Sequence, residues 1–320
     1  MRRLAPAFAA VLLCCGTVCA QNYPSKPIRF ILPFPPGGGT DTLARIVGQK
    51  LGENLAQTIV LDNRPGAGAN IGAEIGAHSV PDGYTLVMGN IGTIAVAPAV
   101  YRKLSYDPVR DLAPITLLAN SPYVMGVTAS NSPKTVQEFV ALAKSNPGKL
   151  NYASTGIGSP GHLSAALLSV LGGIRMEHVP YKDISQIFVD MYSGQIQLYF
   201  SGISPALTQM KTGKIRVLAI TSTKRSPQIP ELPTMVEAGV AGFDVSGWYG
   251  LFTPAGTPPK IIGQINAAVK KIATGRDLQK RFAAIGADLT TSTPEELSAF
   301  VKSEISKWAK VVRESGMRVD

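Results

Sequence analysis

Lys26-Pro27-Ile28-Arg29-Phe30-Ile31-Leu32-Pro33-Phe34-Pro35-Pro36-Gly37-Gly38-Gly39-Thr40-Asp41 changes character midway. Lys26 to Phe34 reads as a short apolar strand and Pro35 to Gly39 breaks it. Leu43, Ile46, Val47 and Leu51 then recur at helical spacing. The alternation repeats. Thr58 to Leu61 is a second strand, closed by Arg64-Pro65-Gly66-Ala67-Gly68, and a small-residue helix runs from about Asn70 to His78. After the turn Pro81-Asp82-Gly83, the strand Tyr84 to Met88 enters Gly89-Asn90-Ile91-Gly92-Thr93, where another helix can begin. Strand, turn and helix in that order imply parallel strands joined by helices, with functional groups at the strands' C-terminal ends.

Ile115 to Ala119 and Tyr123 to Val127 form a long apolar passage suited to carrying the chain between domains, and a second set of similar units follows. Ser132 and Pro133 are expected to cap a helix bearing Val136, Phe139, Val140 and Ala143. Next come strand Leu150 to Ser154, glycine turn Thr155 to Gly161, helix His162 to Leu171, strand Arg175 to Tyr181, helix Ser185 to Tyr192, and strands Ile196 to Phe200 and Ile215 to Thr221. Val245 to Phe252 returns to the first domain, and helices complete the tail, the last starting at Ser292 to Glu296. The expected organisation is a hinged clamshell, with residues 21–120 and 245–320 in one domain and 121–244 in the other.

The chain has 320 residues, long enough for two domains of roughly 100–200 residues each. A positive mean hydropathy excludes disorder. Met1-Arg2-Arg3, the apolar run Leu4 to Val18 and the small residues before Gln21 have the layout of a secretory signal peptide, residues 1–20, cleaved after Ala20. Cys14, Cys15 and Cys19 all lie inside it, so the processed chain is expected to lack disulfides and thiolate chemistry. Without Arg2 and Arg3 the balance is 29 basic to 21 acidic residues, or +8. The basic clusters fall on amphipathic helices, so no nucleic acid is expected as a partner.

His78, His162 and His178 show no paired metal-ligand spacing, and His78 and His178 read as structural residues. Ile157-Gly158-Ser159-Pro160-Gly161 lacks the first glycine of a nucleophile elbow. Gly156-Ile157-Gly158-Ser159-Pro160-Gly161, with Glu177 about 20 residues on, matches the dinucleotide fingerprint and keeps an exported dinucleotide-binding enzyme as a rival. Its mid-chain position and the export signal count against that reading. No metal and no cofactor are expected.

Three glycine-rich turns precede helices: Pro36 to Thr40, Asn90 to Thr93 and Ser154 to Ser159. A helix start exposes unpaired N–H groups and the positive end of the dipole, and glycine lets an oxygen approach the backbone. None of these turns contains Arg or Lys; Lys182 lies near a fourth turn. Neutral N–H and hydroxyl donors from Thr40, Thr93, Ser154, Thr155 and Ser159 suit a carboxylate, each charge-assisted bond contributing roughly 1.5–3 kcal/mol. Asp41 reads as a complement to the helix dipole.

The sequence resembles the extracytoplasmic solute receptors of tripartite tricarboxylate transporters, the Bug-type receptors. The matching stretches include Tyr23 to Ile28, Pro33 to Asp41, Asn63 to Gly68, Pro81 to Leu86, Gly92-Thr93, Tyr106-Asp107-Pro108, Tyr152-Ala153-Ser154 with Gly156 and Gly158, and Trp248-Tyr249-Gly250-Leu251. The resemblance implies an α/β fold of the two-lobed periplasmic binding protein (Venus-flytrap) kind, type II-like, with two doubly wound domains. It also implies a non-enzymatic, monomeric periplasmic receptor that closes on a small organic carboxylate (a di- or tricarboxylate, amino acid or aromatic acid) and delivers it to a membrane permease. Carried over by position, the ligand-lining residues are Phe34, Pro36, Gly37, Gly38, Gly39, Thr40 and Asp41; Asn90, Gly92, Thr93 and Ala95; and Ser154, Thr155, Gly156, Gly158, Ser159 and His162. Where the family commonly has Tyr-Lys-Gly, this chain has Tyr181-Lys182-Asp183, and Asp183 either caps the next helix or acts at the cleft. A sensory receptor for a membrane signalling protein is the alternative.

Overall fold

The computed structural model describes residues 23–37, 39–129 and 133–317; the expected signal segment, Gly38 and Ser132 lie outside them. Strand β1 (Ile28–Leu32) buries Ile28, Phe30, Ile31 and Leu32 completely. Leu43, Val47 and Leu51 of helix α1 (Gly39–Leu55) pack on it, as the helical spacing predicts. Strands β2 (Ile59–Asn63) and β3 (Thr85–Asn90) flank β1 in parallel, and α2 (Asn70–Ala77) joins them. β3 runs into a π-helical turn, Ile91–Val96, and then α3 (Ala97–Val100).

Strand β4 (Leu112–Thr128) is a single 17-residue strand rather than two apolar runs. Its first part, through Pro122, pairs antiparallel with β9 (Ser246–Pro254). Beyond Tyr123 it pairs antiparallel with β7 (Leu198–Gly202) and β8 (Ile215–Ile220). Pro122, which has no N–H to donate, stands where the strand changes partners.

Helix α4 (Val136–Ser145) is capped not at Ser132 or Pro133 but by Thr135. This residue is extended, and its Oγ1 accepts from Glu138 N at 3.1 Å. Strand β5 (Asn151–Ser154), helix α5 (Pro160–Gly172), strand β6 (Glu177–Pro180) and helix α6 (Ile184–Ser193) lead to β7. β5 lies between β6 and β7, parallel to both, so the second half repeats the second-first-third strand order of the first. The main path through the sheet is β2-β1-β3-β9-β4-β7-β5-β6, with β8 pairing to β4 off that path. Each parallel trio is completed by an antiparallel strand arriving from the other half, which makes the fold two-lobed. Helix α7 (Ile203–Met210) was not legible in the sequence; it buries Ile203 and Ala206.

The chain ends in α8 (Pro259–Ala273), α9 (Arg276–Ala284), the short strand β10 (Asp288–Leu289) and α10 (Pro294–Ser315). The expected capping box, Thr293 with Glu296, opens α10. The indole N–H groups of Trp248 on β9 and Trp308 on α10 both donate to Glu304 Oε2, at 3.0 and 3.1 Å, clamping α10 to the returning strand. Among the described residues no helix is long and apolar enough to cross a membrane, and no cluster of three His, Cys, Asp or Glu side chains is disposed to hold a metal.

Candidate functional site

The three glycine turns all leave the C-terminal ends of parallel strands. After β1, Phe34 is half-buried, while Pro36 and Gly37 are exposed. Asp41, in the first turn of α1, is 2% exposed. Its carboxylate accepts from Gly37 N at 2.9 Å, from Arg45 Nε and Nη2 at 2.8 and 3.1 Å, and from Asn63 Nδ2 at 3.0 Å. The same Asn63 nitrogen donates to the Phe34 carbonyl at 3.0 Å, so the turn is folded onto the carboxylate. The Arg45 bond above all, helped by the Gly37 amide and Asn63, holds the Asp41 pKa down at about 2 against the cost of burial. Asp41 thus fixes the turn's shape. Thr40 Oγ1 donates to the Tyr249 hydroxyl at 3.2 Å.

At the end of β3, Asn90 lies opposite Tyr249 of β9. Asn90 Oδ1 accepts from Thr93 N at 3.0 Å and Thr93 Oγ1 accepts from Asn90 N at 3.2 Å. Thr93 is thereby buried at 1% exposure, its carbonyl 2.6 Å from the Tyr106 hydroxyl, and Ala95 is buried beside it. Thr93 and Ala95 face inward; Gly92 carries the accessible backbone of this turn.

After β5, Ser154 is fully buried and Thr155 is exposed. Ser154 Oγ accepts from Gly156 N at 3.0 Å, lies 3.1 Å from the Gly156 carbonyl and meets His178 Nε2 at 2.6 Å. His162 Nδ1 accepts from Gly158 N at 3.2 Å, and Ser159 caps α5. Gly156 and Gly158 have φ of +124° and +76°, a backbone that side-chain-bearing residues rarely adopt. A Ser–His pair at 2.6 Å could suggest a nucleophile, but the hydroxyl has no exposed surface from which to reach a carbonyl.

The second and third turns face each other. A Cβ built on Gly92 would stand 3.9 Å from the Gly158 carbonyl, and one on Gly158 would stand 3.8 Å from Val96 Cγ1. Asp183 is exposed at the N-cap of α6, where Oδ1 accepts from Ser185 N at 2.8 Å. Gly38 lies outside the described residues.

Three tyrosines near these turns escaped the sequence reading. Tyr249 accepts from Thr40, Tyr123 lies 3.1 Å from a Cβ placed on Gly247 of β9, and Tyr199 approaches the N-terminus of α5 at Gly161. Burial pushes the Tyr123 and Tyr249 phenols up and raises Tyr199 to about 12, so all three stay neutral O–H groups. Trp248-Tyr249-Gly250-Leu251, already part of the resemblance, was the one available signal. The dinucleotide reading loses its acid: in the β5–β6 register Glu177 lies beside Asn151, at the opposite end of the strands from the Ser154 turn.

The model of the tripartite tricarboxylate transporter family receptor matches residues 43–317. Protein BugT of Bordetella pertussis is 34% identical, over 98% of this chain and 96% of that one. Among solved structures, Rpa4515 of R. palustris with adipate is 33% identical with a TM-score of 0.80, covering 93% of this chain and 99% of that one. MatC from Rhodopseudomonas palustris with bound malate is 34% identical with a TM-score of 0.76, covering 91% and 100%. With the fold, the ordered motifs and these matches in agreement, the chain belongs to the tripartite tricarboxylate transporter receptor family, whose members are periplasmic solute-binding proteins and not enzymes.

Proposed function

We propose that this receptor binds a small dicarboxylate between its lobes and delivers it, as a monomer, to the membrane permease of a tripartite transporter. The lobes are residues 21–120 with 245–320, and residues 121–244. Export follows cleavage after Ala20. The observation that carries the reading is the opposition of the Gly92 and Gly158 turns, one from each half, so near that a Cβ on Gly92 would touch the Gly158 carbonyl. The Thr93, Gly156 and Gly158 amides are spent within the turns. The donors that serve a ligand are therefore the neighbouring N–H groups, such as those of Gly92, Thr155 and Ile157, with the exposed Thr155 hydroxyl nearby and no Lys or Arg within the turns. Such donors stabilise a carboxylate without demanding a particular chain behind it. The adipate and malate in the two related structures are ligands of that class.

Closure requires that the ligand favour the closed over the open form, which contacts to both turns at once provide. A thermal-shift screen of the processed chain against C4 to C6 dicarboxylates tests the reading. A true ligand at 100 times its Kd adds roughly 2.7 kcal/mol of stability. Indifference to every dicarboxylate, with saturable binding of a cationic or uncharged solute, contradicts it.

A further inference from the structure

The stacked imidazoles of His162 and His178 lie directly behind the turn assigned above to the ligand. Their ring centroids are 4.1 Å apart and the planes 7° from parallel, with Tyr152 stacked on His178 at 5.0 Å. His162 leaves α5 and His178 leaves β6, where the register sets it beside Tyr152 of β5. The Gly156-Ile157-Gly158 segment is tied to this pair at both ends: Gly156 N–H through Ser154 Oγ to His178 Nε2, and Gly158 N–H directly to His162 Nδ1.

A nitrogen that accepts from an amide carries no proton, so this contact requires a neutral His162 with its hydrogen on Nε2. The capacities of the Ser154 hydroxyl are filled when His178 Nε2–H and Gly156 N–H donate to it and its own hydrogen goes to the Gly156 carbonyl.

We propose that His178 and His162 are positioning residues for ligand capture, holding the Ser154–Ser159 turn in its receiving shape as neutral imidazoles, one through Ser154 Oγ and the other through the Gly158 amide. The role rests on the reading that this turn receives the ligand.

The surroundings favour the neutral state. Burial, then the neighbouring His178, lowers His162 to about 3, and burial lowers His178. The titratable groups around the pair are Tyr152 on β5, Arg175 in the loop before β6, Glu177 at the start of β6, and Glu314 at the end of α10. These share with both rings a cavity of about 640 Å³.

The test is amide hydrogen exchange and imidazole ¹⁵N spectra on the processed chain, alongside titration with adipate. In His162→Phe the Gly158 amide, which loses its acceptor, should exchange about tenfold faster, the effect of one neutral bond. In His178→Phe the Gly156 amide, whose Ser154 acceptor loses its anchor, should exchange at least about threefold faster. His178→Gln, whose amide can stand in for Nε2–H, and His162→Asn, whose oxygen can stand in for Nδ1, should restore protection. Each Phe variant should bind adipate up to about tenfold more weakly than its rescue partner. A generic packing role predicts no such pairwise rescue. Exchange in both Phe variants within about twofold of the parent overturns the proposal. So does a parent ¹⁵N spectrum with the proton on His162 Nδ1, which needs no variant. The amide pattern judges the positioning; the parent's response to adipate separately judges the receptor reading beneath it.

Discussion

The turn after β1 and the turn after β5 stand at equivalent places in two copies of the same strand order, yet they are held by opposite chemistry. The first is folded around a charge, with Asp41 gathering Gly37, Asn63 and Arg45. The second is folded around neutral groups, Ser154 and two imidazoles. The repeat therefore conserves the placement of backbone donors at a strand's end, and each half secures that placement in its own way. Protonation undoes both anchors, but at different pH.

The largest way to break the comparison is Asp41→Ala. It removes the acceptor shared by three donor groups and should cost about 3 kcal/mol, read as a lowered urea midpoint, together with loss of ligand binding. His162→Phe leaves one amide without its acceptor and should cost about 1 kcal/mol by the same measurement.

Acid sharpens the contrast. His162 is held at about 3 in the folded chain, below the roughly 6.5 of an unfolded histidine, so the folded state binds fewer protons between those values. Its contribution is complete above about pH 6.5 and declines as pH falls toward 3. Asp41, held at about 2, loses its contribution only from about pH 4 downward. Urea unfolding from pH 7 to 4.5 should therefore fall less steeply in His162→Asn than in the parent, and no less steeply in Asp41→Asn.

The smallest effect belongs to Asp183→Gly. Glycine is a tolerated N-cap, so stability should drop by only a few tenths of a kcal/mol, and the order of affinities among mono- and dicarboxylates should not change. A reordered series would bring Asp183 into the ligand's surroundings.

The sequence announced the strand–turn–helix units because their buried faces obey simple periods, as in Ile28 to Leu32 and Leu43 to Leu51. It hid α7 because eight residues with Pro205 near the start carry little periodic signal. It divided β4 at Asn120-Ser121-Pro122, where a strand changing partners can accept a proline. The glycine turns were legible, since local chemistry demands glycine there. The grip on them was not. His178 reaches Ser154 only through the β5–β6 register, and Asn63 reaches Asp41 only because β2 lies beside β1. Tyr123, Tyr199 and Tyr249 converge through strand crossings that no single segment records.

Assigned ¹H–¹⁵N spectra during titration with adipate, malate and related dicarboxylates test the central claim most directly. Amides of Gly37 to Thr40, of Gly92 and Thr93, and of Thr155 to Ser159 should shift together along one saturation curve, because a single anion is held from both halves. Saturable binding that moves only one turn, or leaves all three still while amides elsewhere respond, would contradict it.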